Sequence, residues 1–242
     1  VIEAADDPET IKANEQARRL LDPERDAYLY LRTIANECLT HQYSGKLEHA
    51  LDCYSHLIAW QLARGEQSNA VNSAVNLSYA LRDLGRTREA VEALDRLALD
   101  PDSDRVSPSM RLRFVINRAY LARDQGDLVD ALEDFARALR LAEQVGESAA
   151  SWQALAITQI ADIYAQLGVT DQAYRLLADS FALYDPASAP ARVAAGLMKM
   201  GLIDRNSGNL QRAAQWYASA ERIYALLNMP VERSEAALGA LE

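Results

Sequence analysis

The chain has 242 residues, half of them hydrophobic, which is enough to bury a substantial core. Its 35 acidic against 25 basic side chains leave a net charge of -10, which argues against non-specific attraction to nucleic acid or anionic lipid, since both need clustered Lys and Arg. Aromatic residues make up only 7 % while Ala, Leu, Arg, Glu and Asp dominate, so intrinsic propensity favours an all-α class over sheet.

The N-terminus shows no initiator Met, no positively charged leader and no uninterrupted apolar stretch. Neither a signal peptide nor a membrane span is expected, and Val1 reads as a boundary of processing or excision. In residues 1–21, Ala13, Ala17 and Leu20 repeat the spacing of Ala90, Leu94 and Leu97, which predicts the second helix of a truncated repeat. Beyond it the chain is periodic. Gly45, Gly85, Gly126, Gly168 and Gly208 recur every 40 to 42 residues, each followed after five residues by Ala50, Ala90, Ala131, Ala173 or Ala213. Seven residues before each glycine stands Cys38, Ser78, Ala119, Ala161 or Gly201. Four after each alanine stands Tyr54, Leu94, Phe135, Leu177 or Tyr217.

The glycine is expected to end a first helix at φ > 0, and the two small positions to let paired helices cross closely. This predicts αα-hairpins over 22–66, 67–106, 107–148, 149–188 and 189–228, with 229–242 as a cap or the start of a sixth. Asp22-Pro23 and Ser107-Pro108 place a capping side chain before a proline suited to a first helical position, Asp185-Pro186 with Pro190 divides the last two hairpins, and Pro230 opens the C-terminal segment.

A small residue, then glycine, then alanine, as in the run from Ala74 to Leu94, resembles the tetratricopeptide repeat. The period exceeds its usual ~34 residues. In that respect it is similar to the long repeats of kinesin light chains, maltose-activator-type regulators and bacterial sensor domains. The resemblance implies a right-handed superhelical α-solenoid whose concave surface is lined mainly by the first helices. The array is expected to be an excerpt from a longer one.

The resemblance also implies that groove positions lie nine, six, three and two residues before each glycine. Nine before stand Asn36, Asn76, Asn117, Gln159 and Lys199. Amide side chains carry both donors and an acceptor, which suits the alternating groups of an extended peptide backbone; the plainer alternative is solvated polar surface. Six before, Tyr79 and Tyr120 fall in consecutive repeats as candidate anchors, with packing against the next hairpin as the alternative. Three before, Arg82, Arg123 and Arg205 are candidates for pairing with acidic side chains or a terminal carboxylate, against ordinary ion pairs with neighbours such as Asp83 and Asp124. The Lys and Asn pattern of carboxylate-clamp adaptors is not reproduced.

Cys38 and Cys53 fall on adjacent helices, and a lone pair in so large a helical chain predicts free thiols, a reducing compartment and a cytoplasmic protein. His49, Cys53 and His56 share one helix face near His41, but a boundary face tolerates them and no metal is expected. Asp100, Asp102 and Asp104 imitate a calcium loop, which fails at Arg105 and Arg111. No phosphate cradle, nucleophile elbow or zincin helix is present, so neither catalysis nor a cofactor is expected. The expected role is a scaffold that holds a protein or peptide in its groove, as sensor or adaptor in a larger regulator. The alternative is a self-associating module that forms a homodimer.

Overall fold

A glycine every forty residues is a backbone device before it is a motif. In the computed structural model, which describes residues 8–97, 106–183 and 189–240, Gly45, Gly85, Gly126, Gly168 and Gly208 all lie at φ between +72° and +88°. A side chain would be strained there, and the turn it permits closes the first helix with a six-residue bond back into its last turn. The bond recurs as Lys46 N–H to His41 O at 2.9 Å, Arg86 to Leu81 at 2.8 Å, Asp127 to Ala122 at 2.9 Å, Val169 to Tyr164 at 2.8 Å and Asn209 to Asp204 at 2.8 Å. The same closure ends two second helices, at Gly65 and at Asn228, the one non-glycine at positive φ among the described residues. The spacing of the first five glycines did not reveal these two.

Among the described residues the chain forms twelve α-helices, one 3-10 turn and no strand. Helix α1 covers Pro8–Leu20. The first helices are α2 (Ala27–Tyr43), α4 (Gln67–Asp83), α6 (Pro108–Gln125), α8 (Ala150–Gln166) and α10 (Pro190–Asn206). Their second helices are α3 (Leu47–Ala63), α5 (Thr87–Asp95), α7 (Leu128–Val145), α9 (Thr170–Ala182) and α11 (Leu210–Leu226), and α12 covers Pro230–Gly239. Ser107 caps α6 by accepting from the Met110 N–H, with Pro108 opening the helix. Asp22-Pro23 does otherwise. Asp22 Oδ1 accepts from the N–H groups of Glu24 and Arg25, which holds a turn, and α2 starts only at Ala27. Val1, the acidic run Asp100, Asp102 and Asp104, and Asp185-Pro186 lie outside the described residues.

The chain divides into two compact units, Val1–Ala131 and Leu132–Glu242. In the first, α2 packs on α3 and α4, α4 on α3, α5 and α6, and α5 on α6. In the second, α8 packs on α9, α10 on α8, α9, α11 and α12, and α11 on α12. First helices therefore touch one another along each unit. The small position seven before each glycine, the alanine five after it and the large residue nine after it are buried in every repeat, from Cys38, Ala50 and Tyr54 to Gly201, Ala213 and Tyr217. In the second unit this yields a cluster of Ala161, Ala173, Leu177, Met200 and Ile203, and another of Ala194, Ala220, Tyr224 and Ala236. Close crossing is literal at Gly201, where an added Cβ would come within 2.8 Å of the Tyr217 ring.

Cys38 and Cys53 are joined in a disulfide between α2 and α3, with Cα atoms 5.4 Å apart. This corrects the expectation of free thiols and removes the ground on which a reducing compartment was expected. The physical reason lies in the hairpin itself. Cys38 sits at the small crossing position and Cys53 three residues past Ala50, so the close approach that demands small residues also brings the two sulfurs together. Among the described residues, no helix is long and apolar enough to cross a membrane.

Candidate functional site

On the first-helix face of the first unit, the polar positions mostly bond across neighbouring helices. Asn36 is exposed and its amide donates to Asn14 Oδ1 of α1 at 3.3 Å, while Asn14 donates to the Thr33 carbonyl at 2.8 Å. Asn76 is half-buried and hydrogen-bonds the Tyr54 hydroxyl, which itself donates to Gln42 at 3.0 Å. Asn117 is fully buried: its amide donates to Ser78 Oγ, which passes a hydrogen bond to the Val75 carbonyl at 2.7 Å, and its own Oδ1 has no protein partner. The asparagines at matching positions thus occupy three environments, open, intermediate and closed.

Tyr79 and Tyr120 are both half-buried on this face. Burial pushes the Tyr79 hydroxyl above its ordinary pKa, opposed by the nearby charges of Arg113 and Arg82. The Tyr120 ring lies under two guanidiniums, Arg82 at 5.6 Å and Arg123 at 5.0 Å from its centroid. Asp124 is shared between the same arginines, 2.6 Å from Arg82 and 3.3 Å from Arg123, while Arg113 donates to the neutral Asn72 amide. Aromatic rings and arginines are thus held in fixed register, with Arg82 spanning α4 to α6.

In the second unit, Lys199 pairs with Asp162 across α10 and α8, the latter standing six before its glycine. Gln159 and Arg205 are half-buried on the same helices. A cavity of about 200 Å³ opens between α8, α9 and α10, bordered by Gln159 and Lys199. A second, of about 340 Å³, continues past Lys199 along Asp162, Gln166 and Leu202. Sequence spacing pointed to Gln159, Lys199 and Arg205 singly, but not to these hollows.

Reading by groove position also missed a buried carboxylate. Asp204 is fully enclosed and accepts from Arg212 Nε at 2.6 Å, Trp216 Nε1 at 2.9 Å and Asn209 at 3.3 Å, with a second bond from Arg212. Burial works to raise its pKa, and the hydrogen bonds from Arg212, Tyr174 and Trp216 overcome it and hold the carboxyl below its usual range. The group ties α10 to α11 and accounts for Arg212 lying over the Tyr174 ring at 5.0 Å. Four residues before the other glycines stand His41, Leu81, Ala122 and Tyr164, so an Asp in that slot was a visible anomaly.

The His and Cys face holds no thiol ligand, because Cys53 is consumed by the disulfide. His56 Nδ1 lies 2.8 Å from the Asp52 carbonyl, and the His41 and His49 rings stand 5.7 Å apart. Among the described residues, no group of three or more His, Cys, Asp or Glu side chains is placed to hold a metal ion.

Neither a protein-family model nor a curated protein matches this sequence. Solved structures do match. BtubC (BKLC) from P. vanneervenii superposes with a TM-score of 0.72 at 17 % identity over 94 % of this chain and 91 % of that one. A signal transduction ATPase with a tetratricopeptide repeat sensor from Pyrococcus horikoshii reaches 0.75 at 10 % identity, over 99 % of this chain and 41 % of that one. A Podosopora anserina kinesin light chain with nearly identical TPR-like repeats gives 0.65 at 19 % over 82 % and 96 %. At these identities the likeness carries the architecture and no activity. Periodic glycines, buried small positions and these superpositions agree that the chain has a tetratricopeptide-type helical-repeat fold.

Proposed function

We propose that the chain is a non-catalytic scaffold that holds a protein or peptide partner against its first helices, as the sensory or adaptor part of a larger regulator. The observation that carries the reading is the cluster of Tyr79, Tyr120, Arg82, Arg113 and Arg123 on the adjoining helices α4 and α6. Half-buried tyrosines add contact area at low entropic cost, and arginines already oriented by a ring, by an amide or by the shared Asp124 carboxylate present their remaining N–H groups in fixed fork geometry. Asn36 and Asn76 supply amide groups suited to a backbone, with Gln159, Lys199 and Arg205 as the corresponding polar residues of the second unit. Asn117 serves as a strut beneath them. The fold likeness supports this reading: one neighbour carries a repeat sensor, and another, a Rap protein with a TM-score of 0.60, was solved in complex with competence and sporulation factor.

The test is a peptide-display selection against the whole chain, followed by affinity measurement for the double variant Tyr79→Ala, Tyr120→Ala. Loss of roughly tenfold or more is expected if the tyrosines anchor the partner. Unchanged affinity for every selected peptide would sink the reading.

Self-association is a second reading, favoured by apolar side chains near the first and last helices. Leu20 is 83 % exposed, Leu226 87 % and Leu238 62 %. Sedimentation velocity across a hundredfold concentration range decides it, since a mass that stays at one protomer excludes a dimer.

A further inference from the structure

The smaller cavity of the second unit has features that general groove binding does not require. It measures about 200 Å³, below the range of drug-sized sites, and its walls are largely apolar, with Leu155, Thr158, Phe181, Ala195 and Gly196 contributing. Its floor exists because of one glycine. Twelve residues before the repeat glycines stand Thr33, Ser73, Phe114, Ala156 and Gly196, all buried, and only the last lacks a side chain. An added Cβ at Gly196 would stand 2.2 Å from Phe181 Cε1 and 2.7 Å from Cζ, so the ring occupies the place that a side chain fills elsewhere. The ring is left facing a hollow between α8 and α10.

The lining of the hollow is cationic. Of the described residues that line it, Arg192 and Lys199 are cations and none is a carboxylate, and the Asp162 side chain that pairs with Lys199 lies outside the lining. Gln159, at a backbone-holding position, stands on its border, and Lys199 also lines the next cavity along the helices.

We infer that this hollow is an anchor pocket that takes one aliphatic side chain of leucine or isoleucine size from a peptide carrying a carboxylate on an adjacent residue. The pocket rests on the first-helix binding reading above and gives it a sequence preference. The apolar walls select by area removed from water, while Lys199, shared with Asp162, and Arg192 reward the neighbouring acid. The volume admits a single side chain, so a small residue at this position of the peptide leaves the hollow unfilled.

The test uses the isotope-labelled full chain and three blocked tetrapeptides, acetyl-Gly-Leu-Glu-Gly-amide and its versions with Ala for Leu and with Gln for Glu. The leucine peptide is expected to shift the Gly196 amide and Phe181 ring signals and to bind about tenfold tighter than the alanine one. Ala195 is exposed, so Ala195→Leu should fill the hollow without disturbing the core and erase that ratio. Lys199→Gln should weaken the preference for Glu over Gln, with Arg192 remaining, while keeping the preference for Leu over Ala. Equal binding of the leucine and alanine peptides, or no response at Gly196, overturns the pocket. A saturable response at Asn76 and Tyr120 without one at Gly196 overturns it while leaving the binding face of the first unit standing.

Discussion

At the scale of single residues, the close crossings and the buried carboxylate make the sharpest predictions. Gly201→Ala forces the Tyr217 ring to move from a contact of 2.8 Å, and overpacking of this kind costs roughly 1–3 kcal/mol. A melt of the variant that overlays the wild type would contradict that packing. Asp204→Ala leaves the half-exposed Arg212 and the Trp216 N–H without their acceptor, with an expected loss of about 1–3 kcal/mol. Because the Asp204 pKa is lowered on folding, its contribution is present above the unfolded carboxylate value near ~3.9 and is lost as pH falls through the lower folded value. Acid titration of stability should show this extra loss below about pH 4 in the wild type and not in Asp204→Asn. Identical acid curves would remove the linkage. Gly201 stood among the small crossing positions in the sequence, whereas Asp204 was signalled only by a carboxylate in a slot that the other repeats fill with His41, Leu81, Ala122 or Tyr164.

Between elements, the disulfide is the feature that sequence reasoning judged wrongly, and the reason is instructive. Two cysteines in a large helical chain were weighed by composition, whereas the hairpin register already set Cys38 and Cys53 seven before and eight after the same glycine, on crossing helices. A link closing 15 residues is worth about 3 kcal/mol in the chain-entropy model. Dithiothreitol, or the paired Cys38→Ser and Cys53→Ser substitutions, should therefore lower the melting temperature of the first unit. An unchanged melt under both treatments would contradict a stabilising bridge. The ladder of amides separates in the same way. Spacing marks Asn36, Asn76 and Asn117 as equivalents, but the packing of α6 on α4 buries the third. With its Oδ1 unpartnered, Asn117→Leu is expected to be neutral or stabilising by up to about 1 kcal/mol, since both the bond and the unmet acceptor disappear. Asn76→Ala removes a hydrogen bond to the buried Tyr54 hydroxyl, so it should cost about 1 kcal/mol in a melt as well as weaken a partner. A strong destabilisation by Asn117→Leu would show that its amide bond to Ser78 outweighs the unmet oxygen.

For the molecule as a whole, helical class and repeat type were legible because a backbone constraint recurs every forty residues, and a glycine at positive φ tolerates no substitute without strain. What stayed illegible were properties of pairs: which amide finds an acceptor on the next helix, where a ring lies over a glycine, and where the second helices close. Those depend on how hairpins stack, and spacing within one repeat does not encode them. In the proposed function the first helices hold the partner. Hydrogen exchange of the whole chain with and without a display-selected peptide tests it directly. Slowed exchange is expected along α4 and α6, and along α8 and α10 for peptides with an aliphatic anchor, with little change in the second helices. Protection confined to α1, α12 or the second helices would contradict it.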